Sequence, residues 1–151
     1  GGFGMAADFA GSFEHSLDSK GRVIIPVSLR EQLGEQFTIA LNSENTALAL
    51  YPLEKWEEIK ARLSQVRSTD VKGMMYVRYI MGNAYTGNVM DAQGRILLPQ
   101  KLRSKVGLTR ELVFVGMNDH IEIWDAARYQ KQEQEAEMDF ADLLAHMEER
   151  Y

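Results

Sequence analysis

The hydrophobic and polar positions form two similar series of short elements. Apolar runs separated by polar or glycine-containing turns are typical of strands, and the first series has them at 11–17, 23–25, 37–41 and 47–51. Residues 26–33 begin at a proline and end before a glycine, which predicts a two-turn helix. This series is therefore expected to fold as strand, strand, helix, strand, strand.

The second series repeats the first. It predicts strands at 83–90, 96–98, 112–115 and 121–124 and a short helix at 99–106. Equivalent positions are 73 residues apart, so that Trp56 corresponds to Tyr129. Two copies at this spacing indicate a duplicated small domain, because the period is longer than that of a solenoid repeat.

Longer amphipathic segments follow each series. Residues 53–66 place apolar side chains at three- and four-residue spacing and predict a packed helix. A second helix is expected to begin after an N-capping Asp70 and to end at Gly82, and Asp125 is expected to cap a third at 126–138. The tail beyond it has an apolar face and an acidic one, which favours docking on the body or a neighbouring subunit over membrane binding, although a frayed terminus is equally ordinary.

One motif occurs in both series: DSKGRVIIP at 18–26 and DAQGRILLP at 91–99, each followed by Leu-Arg at the same distance. The aspartate can bond to backbone two residues on, and the glycine supplies a left-handed residue, so both copies predict a tight turn. Arg22 and Arg95 then lie where the turn enters a strand. The three aliphatic residues are expected to form a buried strand end, and the proline to take the first helical position.

Composition limits the possible classes of function. The chain has 151 residues, no cysteine and a net charge of −5, and no apolar run approaches the length of a membrane span. We therefore expect a soluble, cytoplasmic protein. Seven acidic and two basic residues lie within 131–151, so that the tail accounts for the whole net charge. The body is balanced and can present a basic face.

Candidate catalytic chemistry is sparse. His15, His120 and His146 lack metal-ligand spacing, and no phosphate-binding glycine loop is present. Asp18 and Asp91 could form a pair of catalytic carboxylates, but it is more plausible that each orders its own turn or pairs with the arginine four residues on. We expect no enzyme activity, cofactor, metal or small-molecule substrate.

The arginines allow two interpretations. In one, Arg22 and Arg95 only lock their turns to the aspartates, while Arg30 and Arg103 cover their helices. In the other, the turns present arginine, with Lys20, to a polyanion, since the guanidinium fork suits guanine edges and phosphates and a two-stranded β element fits the major groove. The duplication favours the second, because paired basic loops suit a repetitive ligand such as duplex DNA.

The motif as a whole resembles the AbrB-like swapped-hairpin domain of bacterial DNA-binding regulators. Two copies joined by helices, with YPLEKW after the first and IWD after the second, resemble the MraZ family in particular. The resemblance implies an α+β fold of two β-β-α-β-β units in a pseudo-symmetric β core with flanking helices. The expected segments are a tag remnant at 1–4, a first AbrB-like unit at 5–53, connecting helices at 54–82, a second unit at 83–125, and a C-terminal helix with an acidic tail at 126–151.

The resemblance also implies a function. It predicts a nucleoid-associated transcriptional regulator of the division and cell-wall gene cluster, its own operon included, which binds promoter direct repeats in double-stranded DNA as a ring-like homo-oligomer. The residues carried over as DNA-binding are Asp18, Lys20, Arg22, Asp91 and Arg95. Gln93 replaces the lysine in the second copy, so the two loops need not contribute equally. Alternatives are an interaction module of the antitoxin type and a ring scaffold without nucleic acid.

Overall fold

A computed structural model describes residues 8–151; the expected tag remnant at 1–4 and the first three residues of the unit expected at 5–53 lie outside the described residues. Fourteen elements follow one another along the described part of the chain: β1 (Ser12–Ser16), β2 (Arg22–Ile24), α1 (Val27–Leu33), β3 (Phe37–Leu41), β4 (Leu48–Pro52), α2 (Leu53–Leu63), α3 (Val71–Gly82), β5 (Tyr85–Asn88), β6 (Arg95–Leu97), α4 (Gln100–Lys105), β7 (Glu111–Gly116), β8 (Ile121–Asp125), α5 (Ala126–Met138) and α6 (Phe140–Arg150).

The two repeats exchange their first strands. The main sheet has the order β1-β7-β8-β4-β3-β5, and all of its neighbours are antiparallel. Strand β1 of the first repeat therefore pairs with β7 of the second, and β5 of the second pairs with β3 of the first. The predicted α+β fold of two similar β-β-α-β-β units in a shared, pseudo-symmetric core is confirmed.

The second strands of the repeats form a separate two-stranded ribbon. Strands β2 and β6 are antiparallel, with Val23 opposite Ile96. These two side chains are buried, whereas the next residues along, Ile24 and Leu97, are 40% and 60% exposed. The expectation that all three aliphatic residues of each motif are buried was wrong, because a two-stranded ribbon has only one face against the core.

The main sheet is covered on both faces. Phe37, Ile39 and Leu41 point towards the larger core, which the ribbon, α1 and α4 complete, while Ala40 points to the opposite face. There the indole of Trp56 in α2 stacks on Tyr51, with ring centroids 6.1 Å apart. In the second repeat, Tyr129 in α5 meets Trp124 at 5.9 Å. The predicted equivalence of Trp56 and Tyr129 is thus visible in their contacts.

Helix starts follow the sequence signals at some positions and not at others. Asp70 caps α3 as expected, since its Oδ1 accepts the backbone N–H of Gly73 at 2.9 Å. Asp125 makes no such bond at α5 and instead accepts the Thr109 N–H and hydroxyl at 3.0 and 2.6 Å. Pro26 and Pro99 precede the first helical residue rather than occupying it. The prediction for Asp125 was wrong because a threonine distant in sequence takes its carboxylate.

A shared core predicts one cooperative unfolding transition. Trp56 and Trp124 are the two tryptophans, one buried in each repeat. In each of the variants Trp56→Phe and Trp124→Phe, the remaining tryptophan reports on one repeat. We expect the urea midpoint measured by its fluorescence to coincide with the midpoint measured by circular dichroism in the same variant. Ile123→Ala, at a fully buried position, should lower the free energy of unfolding by about 2–5 kcal/mol in both backgrounds. Separate midpoints would show that the halves unfold independently.

Candidate nucleic-acid interface

The loop of the first motif copy, residues 18–22, is held by one aspartate. Asp18 Oδ1 accepts the backbone N–H groups of Lys20 at 2.9 Å and Arg22 at 2.8 Å. Its Oδ2 accepts Nε–H of the Arg22 guanidinium at 2.9 Å. A backbone bond from Gly21 N–H to the Asp18 carbonyl, 3.1 Å long, closes the turn. One carboxylate therefore sets both the backbone of the loop and the direction of its arginine.

The second loop, residues 91–95, repeats this geometry. Asp91 Oδ1 accepts the N–H groups of Gln93 and Arg95, each at 2.9 Å, and Oδ2 accepts Arg95 Nε–H at 2.7 Å. Both aspartates thus order their own turns and are fully engaged locally. This arrangement favours the structural interpretation of the carboxylates over a catalytic pair.

These hydrogen bonds shift the acidities of the two aspartates. The backbone N–H of Arg22, helped by its guanidinium and by the Lys20 N–H, lowers the pKa of Asp18 against a smaller opposing effect of desolvation. The pKa of Asp91 is lowered in the same way by Arg95 and Gln93. Both loops are therefore held by carboxylates that stay ionised at neutral pH.

The outer face of the ribbon carries the two arginines. In the antiparallel register Arg22 lies opposite Leu97, and Ile24 lies opposite Arg95, so these four side chains share one face. Each arginine side chain is 31% exposed. The exposed Ile24 and Leu97 lie on the same face as the arginines and were not predicted from the sequence, although the alternation of burial along a ribbon was the signal for them.

Each repeat also shapes the loop of the other. The backbone at Gly21 and Gly94 is left-handed, with φ of 81° and 79°. A Cβ at Gly94 would overlap the guanidinium of Arg30, and one at Gly21 would lie 2.9 Å from Nη2 of Arg103. Arg30 comes from the first repeat and Arg103 from the second, so these contacts cross between the repeats.

The same two arginines are tied to backbone carbonyls. Arg30 Nε–H donates to the Ile25 carbonyl at 2.7 Å, and Arg103 Nε–H donates to the Leu98 carbonyl at 3.0 Å. Both side chains are therefore fixed beneath the loops rather than only lying along their helices. A contact between segments so far apart in the chain leaves no local pattern in the sequence.

The loops differ at their third residue. Lys20 is exposed, whereas Gln93 Oε1 accepts a hydrogen bond from Arg95 Nη2 at 3.3 Å. The rival basic surface, on α4, is turned towards α3. Lys101 Nζ donates to the Gly82 carbonyl at 3.1 Å, and Lys105 Nζ lies 5.3 Å from the centroid of the Tyr79 ring. Lys20 of the first loop is therefore a less engaged cation than Lys101 or Lys105.

The described residues contain neither a candidate metal site nor a helix suited to cross a membrane. Among residues 8–151, no cluster of three or more histidine or acidic side chains could hold a metal ion. Within that range, no helix is both long and apolar enough to cross a membrane. Of the histidines, His15 packs edge-on against Phe114 and His120 bonds to Asp119 at 2.7 Å.

The exchanged strands and paired Asp-x-x-Gly-Arg loops define a duplicated AbrB-like protein. The family model described as "MraZ protein, putative antitoxin-like" matches the chain twice, at 9–78 and 80–151. The chain therefore belongs to the MraZ family. Its similarity to individual members extends over most of its length.

Three relatives, each named transcriptional regulator MraZ, show this similarity. The Pediococcus pentosaceus protein is 39% identical over 139 residues, which cover 92% of this chain and 96% of the relative. The Acetivibrio thermocellus protein is 39% identical over 122 residues, or 81% and 84% of the two chains. The protein of Thermoanaerobacter sp. strain X514 is 32% identical over 139 residues, again 92% and 96%.

The loop aspartates should make stability depend on pH. A carboxyl whose pKa is lowered by folding stabilises the protein above its unfolded pKa, and this stabilisation is lost as pH falls through the folded pKa. We therefore expect the free energy of unfolding of the wild type to exceed that of Asp18→Asn at neutral pH, and the difference to shrink below about pH 4. Urea titrations at several pH values measure this; a constant difference would contradict it.

Gly94→Ala should destabilise the protein for two reasons: a left-handed backbone and the overlap with Arg30. We expect a loss of about 1–3 kcal/mol in the free energy of unfolding. Gly107→Ala is the matched control, because Gly107 also has a positive φ of 65° but open space around its Cβ position. Adding Arg30→Ala should recover part of the Gly94→Ala loss, and equal losses in Gly94→Ala and Gly107→Ala would refute the packing contact.

Proposed function

We propose that the protein is a DNA-binding transcriptional regulator that reads duplex DNA with the outer face of the β2–β6 ribbon and its two loops. The observation that carries this proposal is the placement of Arg22 and Arg95 on one exposed face, each oriented by an aspartate. A two-stranded ribbon fits the major groove, and an oriented guanidinium can bond bidentately to guanine.

The residues of this face have different roles. Arg22 and Arg95 read base edges, whereas Lys20 attracts phosphate without regard to sequence. Asp18 and Asp91 act by orienting the arginines rather than by contacting DNA, since every oxygen of theirs already accepts a bond within the loop. The exposed Ile24 and Leu97 add apolar surface suited to thymine methyl groups.

Regulation of transcription is supported by the names of the relatives. The family resemblance extends the proposal to the division and cell-wall gene cluster, the protein's own operon included, and to a cytoplasmic, nucleoid-associated location. It also supports a ring-like homo-oligomer on promoter direct repeats. Head-to-tail contacts repeat the ribbon in one sense, as direct repeats require.

A second candidate function is an interaction module of the antitoxin type. The family description includes the term antitoxin-like, and the exposed acidic α5 and α6 could bind a basic protein. A ring scaffold without nucleic acid is the remaining alternative. In either alternative, binding would not show the steep fall of affinity with salt concentration that phosphate neutralisation gives.

Loop variants separate base reading from phosphate attraction. Arg22→Ala should cost about 1–3 kcal/mol of specific binding per engaged loop. Arg22→Lys keeps the charge and loses the fork, so it should lose discrimination between operator and random DNA while retaining non-specific affinity. Lys20→Ala should weaken binding to all sequences and reduce the salt slope by about one per engaged loop, and Gln93→Lys should tighten binding and steepen the slope.

The measurement is a titration of DNA from the protein's own upstream region at several salt concentrations. Lys101→Ala is the matched control, because this lysine is bonded to the Gly82 carbonyl on α3. If Lys20→Ala changed neither affinity nor slope while Lys101→Ala lowered both, the DNA surface would be α4 and not the loops. Wild-type affinity that did not depend on salt would favour the interaction-module alternative.

A further inference from the structure

A pocket opens beside the first loop, between the loop, the end of α4 and the start of β7. It has a volume of about 650 Å³. Its polar lining consists of Asp18 and Ser19 from the loop, Arg103 from α4, and Thr109 and Arg110 from the segment before β7. Two arginines from separate segments therefore line one pocket, next to a loop that enters the β2–β6 ribbon.

The two arginines of the pocket are held differently. Arg103 is half-buried, and its Nε–H donates to the Leu98 carbonyl at 3.0 Å, so that its guanidinium is fixed. The side chain of Arg110 is 81% exposed, and its Nε lies 3.7 Å from Oε1 of Glu111, too far for a hydrogen bond. Its backbone is nevertheless fixed, because the Arg110 carbonyl accepts the Leu17 N–H at 2.7 Å. The pocket thus combines a rigid cation with a movable one.

The acidic residues around the pocket are already engaged. Asp18 uses both carboxylate oxygens within its own loop. Asp125 is buried and accepts the N–H and the hydroxyl of Thr109. Glu111 accepts the hydroxyl of Ser16 at 2.9 Å, and at 64% exposure its carboxylate is a weak partner for the neighbouring arginine. The one carboxylate that lines the pocket is therefore neutralised by its own loop.

Two guanidinium groups in an open pocket suit a phosphate group. Guanidinium N–H groups match phosphate oxygens in both geometry and charge. The phosphates of a duplex border the major groove, so a ribbon that enters the groove brings its ends close to them. Contacts to these phosphates fix the register and orientation of a protein on the duplex. The pocket lies at such an end of the ribbon, because residues 18–22 lead directly into β2.

The second loop does not offer the same chemistry. At the equivalent positions, 73 residues earlier in the chain, Phe37 stands in place of Arg110 and Glu35 in place of Leu108. Phe37 is buried in the larger core, so the second loop has no movable cation at this place. The arginine pair is therefore specific to the first loop and is not part of the duplicated motif.

We propose that the pocket beside the first loop binds one phosphate group of the DNA backbone between Arg103 and Arg110. This contact rests on the proposed function, since it requires the loops to meet DNA. It positions the duplex without reading its sequence. It also makes the first loop the stronger electrostatic anchor of the two, in addition to the charge of Lys20.

An exposed arginine elsewhere provides a matched control for Arg110→Gln. The side chain of Arg62 on α2 is 69% exposed and lies 4.0 Å from Glu58, on the face of the sheet opposite the ribbon. We expect Arg110→Gln to unfold at the wild-type urea concentration and to bind operator and random DNA about five- to tenfold more weakly near 0.1 M salt, per engaged first loop. The salt slope should fall by about one per engaged first loop. Arg62→Gln should match the wild type in each measurement.

Ethylation of single DNA phosphates locates the contact. An ethyl group removes the charge of one phosphate, so it weakens binding wherever the protein holds that phosphate. We expect Arg110→Gln to lose sensitivity to ethylation at one phosphate per engaged first loop and to keep the other sensitive positions, whereas Arg62→Gln keeps the whole wild-type pattern. An unchanged pattern in Arg110→Gln would overturn the proposal even if the affinity fell, because the arginine would then act only through its long-range field.

The remaining outcomes separate the pocket from the proposed function. If specific binding depends on Arg22 while Arg110→Gln behaves as Arg62→Gln does, the pocket contact is refuted and the loops remain the DNA surface. A wild type without salt-dependent DNA binding refutes both. Inorganic phosphate at constant ionic strength is the probe for a free ligand. If it raises the thermal midpoint of the wild type but not of Arg110→Gln, while their ethylation patterns agree, the pocket takes free phosphate and the assignment to DNA is wrong.

Discussion

The exchange of first strands between the repeats is the constraint on which the rest of the structure depends. Because β1 completes the sheet at β7 and β5 completes it at β3, neither repeat can close its own sheet. The remaining second strands, three residues each, pair with each other over the common core. That pairing sets the two arginine loops at the two ends of one ribbon, so the candidate interface depends on both repeats.

Sequence predicted well what depends on neighbouring residues. The duplication, the strand and helix positions and the aspartate-ordered turns all rest on interactions within a few residues, such as those of Asp18 with Lys20 and Arg22. Features that join distant segments escaped prediction. Arg30 beneath Gly94 is one, and Asp125 is another, because its carboxylate bonds to Thr109 rather than to the helix that it precedes.

The net charge of −5 gave little information about the surface. Acidic residues are concentrated in α5 and α6, while the loop carboxylates are neutralised locally by Arg22 and Arg95. The charge presented at the loops is therefore set by a few oriented side chains and not by the net charge of the chain.

The crossed contacts of Arg30 and Arg103 bear on how such a chain can vary. In a symmetric dimer of a single repeat the two loops would be identical, because any substitution would occur in both copies. In the duplicated chain the two loops can differ in sequence, as Lys20 and Gln93 do. Each loop nevertheless packs against an arginine from a helix of the other repeat, so a change in either helix alters the loop of the other repeat. The side chains of the two loops can therefore diverge, while the backbone shapes of the two loops remain coupled.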